Sequence, residues 1–176
     1  MSILFLMDPI ESMNPQKDTS LMFVLEALKR DKEAYYLPQG GISVLNGDVT
    51  FSVQQLMSNT NSGLSLPIQL GEQCLLNETD VEVIFIRTEP PFDSQYLMDT
   101  LLLDLLKDKI RIVNSPTGIR HVNEKIWCSQ FVDLVPPTLI TRNQSLFKSF
   151  VSEHQTVILK PLDGFGGRGI MKLHLD

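Results

Sequence analysis

The sequence predicts an α/β protein whose first part is an open, mostly parallel sheet. Three observations lead there. Short apolar runs of strand length recur at residues 2–7, 34–37, 81–86 and 110–113. Amphipathic helical patterns lie between them, as expected when crossover helices join parallel strands. The run at 81–86, Val-Glu-Val-Ile-Phe-Ile, is apolar and β-branched enough for a strand covered on both faces. The chain has 176 residues, 43% hydrophobic and 20% charged. That length allows one full core plus part of another, with the composition of an ordinary globular protein.

The first strand, at 2–7, is followed by a polar loop and by Asp18-Thr19-Ser20, any of which can cap a helix. Leu21, Val24, Leu25 and Leu28 then recur at helical spacing and predict one buried face. A second strand is expected at 34–37. Residues 42–45 and 49–53 flank Asn46-Gly47, the signature of a hairpin closed by a type I′ turn. Residues 57–79 are rich in Ser, Asn, Thr and Gly, and read as a long connection without strong structure or chemistry. The strand at 81–86 ends in Arg87 and a Pro90-Pro91 break. From 94 to 109, Leu97/Met98, Leu101/Leu102 and Leu105/Leu106 step by four and predict a helix with a wide apolar stripe. A strand at 110–113 closes this part at Asn114-Ser115-Pro116.

A second unit is expected from about residue 121, giving domains at 1–120 and 121–176. It holds a short helix at 125–131, a Pro136-Pro137 break, a strand at 138–141 and a helix opened by Asn143. A strand at 156–162, a glycine-rich loop and a last strand from Ile170 complete it. There is no internal repeat or low-complexity segment.

Composition excludes several classes of function. A net charge of −6 with scattered basic residues gives no field to hold a nucleic acid. Cys74 and Cys128 have neither metal-ligand nor disulfide spacing, which fits a reducing cytoplasm. The N-terminal apolar run is shorter than a signal sequence, and no segment approaches a membrane span. His121, His154 and His174 show no ligand spacing, and no hydrolase nucleophile context is present.

The chemistry concentrates at residues 157–170, where four glycines fall in a seven-residue loop between apolar β runs. Backbone N–H groups can there approach a phosphate closely. No Gly-Lys-Ser/Thr follows, so it is not a Walker loop, and a plain flexible hairpin is the alternative. Lys160 in the entering strand needs a partner or solvent, and a phosphate under the loop supplies one. Arg168 is a helper or an exposed loop residue, and Lys125 taken alone reads as a surface lysine. In open α/β sheets ligands collect beyond the carboxyl ends of strands, where Asp8, Arg87 and Asn114-Ser115 stand. Arg87 can hold a carboxylate by two parallel hydrogen bonds, or form a salt bridge to Glu89 or Asp93.

Taken in series, Met7-Asp8-Pro9-Ile10, Lys17-Asp18-Thr19-Ser20, residues 87–93, Val113-Asn114-Ser115-Pro116, Arg120 with Asn123-Glu124-Lys125, and residues 158–167 resemble the bacterial glutathione synthetases. Thr88 and Glu89 stand where that family often has a basic residue and an Asp, and residues 54–79 match poorly. The resemblance implies the substrate domain that precedes ATP-grasp modules, then the incomplete first subdomain of an ATP-grasp fold. It implies that Lys125, Lys160 and the loop Gly164, Phe165, Gly166, Gly167 and Gly169 contact ATP, with Arg87 and Asp8 facing a dipeptide. The implied reaction joins γ-glutamylcysteine to glycine through an acyl phosphate, with ATP and Mg²⁺. The catalytic residues and metal ligands are expected in a C-terminal part beyond residue 176, so the chain alone is expected to be inactive. The full-length protein is expected to be a cytoplasmic homo-oligomer. Another ATP-grasp carboxylate–amine ligase, or a non-catalytic nucleotide-binding or interaction module, would share these features.

Overall fold

Strand β1 (Ser2–Leu6) sends alternate side chains to two different cores, as a strand covered on both faces must. Leu4 and Leu6 enter one cluster, Phe5 and then Met7 the other. The computed structural model describes residues 1–59 and 66–174. It divides into two compact units, Met1–Arg120 and His121–Asp176, and each is described by itself.

In the first unit β1 is followed by α1 (Thr19–Lys29), β2 (Ala34–Leu37), β3 (Ile42–Leu45), β4 (Asp48–Ser58), β5 (Ile68–Asn77), β6 (Val81–Ile86), α2 (Ser94–Asp104), β7 (Arg111–Val113) and α3 (Pro116–His121). The sheet runs β3-β4-β2-β1-β6-β7, with β5 on the other side of β4. Pairs β1–β2, β1–β6 and β6–β7 are parallel, which is the open parallel sheet that the strand–helix alternation predicts. The hairpin strands extend it with antiparallel pairs. Leu21, Val24 and Ala27 of α1 pack with Phe5, Met7 and Tyr36 on one face. Tyr96 and Leu103 of α2 pack with Leu4, Leu6, Ile84 and Ile86 on the other.

The predicted β3–β4 turn is present: Asn46 and Gly47 both have positive φ, 54° and 98°, as a type I′ turn demands. Asp18 is the residue that caps α1, accepting from the N–H groups of Ser20 at 2.7 Å and Leu21 at 3.2 Å.

Residues 57–79 depart from the expected unstructured connection. β4 continues to Ser58 and β5 covers Ile68–Asn77, paired from Thr50↔Asn77 to Ser58↔Ile68. This ribbon has one wet face, so its polar residues are compatible with a ladder that satisfies the backbone. Phe51 and Val53 of β4 are buried in one core cluster and Leu56 with Ile68 in the other, the change of face coming at the register shift between Gln54 and Leu56. Part of that segment, residues 60–65, lies outside the described residues.

The helix expected at 94–109 ends at Asp104 and continues as turns, with Leu105 bonded to Leu102 at 3.2 Å and Leu106 to Leu103 at 3.0 Å. Its buried face is Tyr96, Asp99, Thr100 and Leu103, whereas Met98, Leu101 and Leu105 of the expected stripe are exposed. Asp99 is 0% exposed. Its carboxylate accepts the Gly40 N–H at 3.3 Å from each oxygen and Gln95 Nε2 at 3.2 Å. Burial outweighs these bonds and raises its pKa above the ordinary 3.8. A raised folded pKa means that the native state holds the proton more tightly than the unfolded chain. Stability from this group is therefore complete below 3.8 and falls as pH rises to the raised folded value. Asp99→Asn lacks this titration. Urea midpoints of wild type and variant, followed through that acid window, should shift progressively in the variant's favour as pH increases. A constant difference would show that Asp99 titrates as it does unfolded.

The second unit contains α4 (Glu124–Trp127), α5 (Gln144–His154), β8 (Thr156–Leu159) and β9 (Met171–His174). α4 runs into a 3-10 turn, Cys128–Gln130, matching the expected helix at 125–131. Asn143 caps α5, accepting from Ser145 N at 2.8 Å and Leu146 N at 3.2 Å. The strand expected at 138–141 is absent: those residues lie outside any helix or strand. β-branched residues at 138–141 without a partner strand have nothing to pair with. β8 and β9 form a two-stranded antiparallel sheet, and β8 ends at Leu159, before Pro161 removes a donor from the ladder. Among the described residues, no helix is long and apolar enough to cross a membrane.

Candidate functional site

The first unit places its chemistry where the chain turns opposite ways from two neighbouring parallel strands. From β1 the chain crosses through α1 to β2 on one side, and from β6 through α2 to β7 on the other. The crevice outside the carboxyl ends of β1 and β6 is thus a topological switch point. Asp8 follows β1, and Arg87 is the first residue after β6. Asn114, after β7, donates from Nδ2 to the Ile86 carbonyl at 3.4 Å.

The rim is tied down at several points. The Arg87 N–H donates to Leu6 O at 2.7 Å and the Glu89 N–H to Asp8 Oδ2 at 3.0 Å. Tyr96, buried on α2, donates its hydroxyl to Thr88 O at 3.2 Å. Burial, with the charges of Asp8 and Glu89, raises the Tyr96 pKa, so this donor stays protonated. The Pro90–Pro91 peptide is cis, and Asp93 caps α2 through Tyr96 N at 2.9 Å.

Arg87 is half-buried. Its Nε donates to Ser20 Oγ at 3.1 Å and its Nη2 to Thr19 Oγ1 at 2.5 Å. Its guanidinium carbon stands 5.6 Å from the centre of the Phe23 ring, within cation–π range. Among the described residues it makes no ion pair within 4.0 Å, with Glu89 and Asp93 included. Of its two sequence readings, the salt bridge is therefore the one the geometry disfavours.

In the second unit Asn123 caps α4, its Oδ1 accepting from Lys125 N at 2.9 Å and Ile126 N at 3.1 Å. The same side chain donates from Nδ2 to Leu162 O at 2.9 Å. Lys125 is not a plain solvated lysine. Its Nζ donates to Gly164 O at 2.5 Å and pairs with Glu124 Oε1 at 2.6 Å. The Lys125 hydrogen bond is the main cause that holds the Glu124 carboxyl below its usual range.

The loop between β8 and β9 is internally bonded, Arg168 N to Phe165 O at 3.0 Å and Ile170 N to Gly167 O at 3.4 Å. The Arg168 guanidinium lies over the Phe165 ring at 5.2 Å. Gly169 has φ +71°, and a Cβ there would come within 2.8 Å of Pro161 Cγ. Its backbone thus folds against Pro161 in a way only glycine allows. Lys160 stands at the entrance to this loop and is exposed. The burial cost that the sequence suggested for an unpaired ammonium there does not arise, because solvent reaches it.

A family model for the N-terminal domain of prokaryotic glutathione synthetase matches residues 1–120. The chain belongs to the prokaryotic glutathione synthetase family. The ATP-grasp domain of the same family matches residues 124–176. The glutathione synthetase of Escherichia coli strain K12 is 38% identical over 168 residues, which cover 95% of this chain and 52% of that protein. That of Salmonella typhimurium strain LT2 is 35% identical, covering 95% and 53%. The chain thus spans about half the length of the curated relatives it matches. A solved ATP-grasp ligase, PsnB with its precursor peptide PsnA2 and AMPPNP, superposes with a TM-score of 0.52 at 16% identity, covering 98% of this chain and 57% of that one. This likeness supports the ATP-grasp fold of this glutathione synthetase family member.

The structure brings Lys125 to Gly164 of the glycine loop, and sets Asp8 and Arg87 at adjoining strand ends. Sequence reasoning missed the hydroxyls of Thr19 and Ser20, and the contacts of Asn123 and Glu124. One signal was available: Asp18-Thr19-Ser20 offers three capping residues where one suffices, which leaves two for another task. Among the described residues no group of three or more His, Cys, Asp or Glu could hold a metal ion.

Proposed function

We propose that the full-length protein is a glutathione synthetase, joining γ-glutamylcysteine to glycine at the expense of ATP. The observation that carries this reading is the contact of Lys125 with Gly164. It sets a cation against a glycine-rich loop, in a chain whose family is established. In this reading the first unit is the substrate domain and the second begins the ATP-grasp domain. ATP, when bound, supplies the phosphoryl group that activates the cysteinyl carboxylate.

This chain's residues contribute binding and charge. Lys125 and Lys160 neutralise phosphate oxygens, and the amides of Gly164, Phe165, Gly166, Gly167 and Gly169 lie under or over them. Gly169 keeps this loop folded against Pro161, where a side chain would collide. Arg87, which makes no ion pair among the described residues, takes a carboxylate of the dipeptide, with Asp8 beside it. Among the described residues no cluster of His, Cys, Asp or Glu could hold Mg²⁺. A cytoplasmic location fits the reading.

A coupled ADP-release assay of the full-length protein with γ-glutamylcysteine and glycine tests it. Turnover should require both. ADP release only with a different carboxylate or amine would identify another ligase. For Arg87, lysine keeps the charge but loses the planar fork. Arg87→Lys should raise the dipeptide KM by about tenfold while leaving the melting temperature nearly unchanged. A large fall in melting temperature with an unaltered KM would make Arg87 a structural residue instead.

A further inference from the structure

Asn, Asp and Ser serve about equally well at the start of a helix, because each needs only an oxygen that accepts from first-turn N–H groups. Asn123 does more than that. Its Oδ1 accepts from Lys125 N at 2.9 Å and Ile126 N at 3.1 Å, while its Nδ2 donates to Leu162 O at 2.9 Å. A carboxylate in its place would turn a second oxygen toward that carbonyl, and a serine hydroxyl is too short to reach both sides. The carboxamide alone can bridge the first turn of α4 to the entering limb of the glycine loop, 39 positions away.

Two residues on, Lys125 makes a second tie, from Nζ to Gly164 O at 2.5 Å. An ammonium has three N–H groups. A second is spent on Glu124 at 2.6 Å, and among the described residues the third has no partner. The returning limb of the loop is held at Gly169, where an added Cβ would come within 2.8 Å of Pro161. Gly166 and Gly167 lie beyond these fastenings, with φ of 57° and 78° and nothing within 4 Å of an added Cβ. The base of the loop is thus bound on both limbs, and its tip has room around it. All these groups belong to the one unit His121–Asp176.

Resting on the functional reading above, we propose that Asn123 is a positioning residue of the nucleotide site, which together with Lys125 clasps the glycine loop to α4. The clasp fixes the distance between the free N–H of Lys125 and the amides at the loop tip, so that both reach the same phosphate group. Without the Asn123 bridge the helix start survives, but the loop is held on its entering limb by Lys125 alone.

The experiment uses the full-length protein with Asn123→Ser and Asn123→Asp, each of which keeps a capping oxygen and loses the donor to Leu162. Both should raise the ATP KM about fivefold, the worth of one hydrogen bond, and leave the KM for γ-glutamylcysteine and the melting temperature nearly unchanged. A second readout needs no nucleotide. Among residues 161–170 only Arg168 offers trypsin a cleavage site, and it is exposed. Lys160 precedes a proline and is passed over. Cleavage after Arg168 in the ligand-free protein should be about fivefold faster in both variants, whereas Asn143→Ser, the same change at the cap of α5, should cleave as the wild type does. Wild-type cleavage by Asn123→Ser would overturn the clasp. An equal acceleration by Asn143→Ser would overturn it too, as general loosening of the unit. A raised ATP KM in Asn123→Asp alone would reduce the effect to repulsion by the added charge and overturn the positioning role. Faster cleavage with an unaltered ATP KM would overturn the assignment to the nucleotide site while leaving the clasp standing. A wild-type protein that does not consume ATP would remove the functional reading, which the cleavage rates do not depend on.

Discussion

Replacing Lys160 by Met is expected to lower turnover of the full-length protein by about a hundredfold, the loss typical when one charge-stabilising donor is removed from a reacting centre. Methionine keeps the length and most of the volume of the stem, so the loss reports the ammonium alone. Lys160 follows directly on β8 and precedes Pro161, against which Gly169 folds. Its exposed side chain carries no structural burden, so the variant should melt where the wild type does. Lys125 makes the contrast. Its ammonium also holds Gly164 O and Glu124, and Lys125→Met should therefore disturb the loop as well as the phosphate contact. Steady-state kinetics and thermal melts of both variants check this. Wild-type turnover by Lys160→Met would remove Lys160 from the site.

Phe5→Ala should be the most damaging change to stability, at about 3–5 kcal/mol. Phe5 lies on the central strand β1 and is 1% exposed. Its ring stacks on Phe85 at 5.3 Å, and Phe85 stacks in turn on Phe23 at 5.6 Å. Strands cannot close on the space left by a deleted ring, because their hydrogen-bond ladders fix the spacing, so the cavity persists. Against a total stability of about 5–15 kcal/mol this is a large fraction, and the melting temperature should fall by about 10 °C or more. Phe5→Leu, which refills most of the volume, should lose much less. Chemical denaturation of the two variants gives the comparison. A Phe5→Ala cost near that of Phe5→Leu would mean that the sheet does close over the gap. The stack has a second consequence: its outer ring, Phe23, supports Arg87, so a defect at Phe5 can also loosen the guanidinium.

What the sequence disclosed and what it hid have physical causes. The strands at 2–6 and 81–86 and the turn at Asn46-Gly47 were legible because burial on both faces, or positive φ, leaves few residue choices. β5 was not legible, since a ribbon with one wet face tolerates the polar residues that elsewhere mark loops. The end of α2 was misplaced because leucines fill its outer face as well as its inner one, so the count of apolar residues could not say which were buried. Asp99 was invisible for a different reason: the Gly40 N–H that its buried carboxylate accepts lies 59 positions away in the chain. At the rim, Arg87 and Asp8 were legible from their places after apolar strands. The hydroxyls that aim Arg87 come from 67 and 68 positions earlier, a separation that no local pattern encodes.

The fastenings of the rim bear on how such a protein can diverge. Residues 87–89 are held through the Arg87 and Glu89 N–H groups and the Thr88 carbonyl, so the peptide chain stays in place whatever side chain position 89 carries. Glu89 itself is exposed. Thr88 is only 8% exposed, with its hydroxyl turned toward Leu6 O. A lysine introduced there would bury an ammonium without a counterion or displace its neighbours. The cost of substitution at this rim is therefore expected to be uneven. A lineage can retune the mouth of the crevice through position 89 one substitution at a time, whereas a basic residue at 88 requires a companion change in the packing around Tyr96.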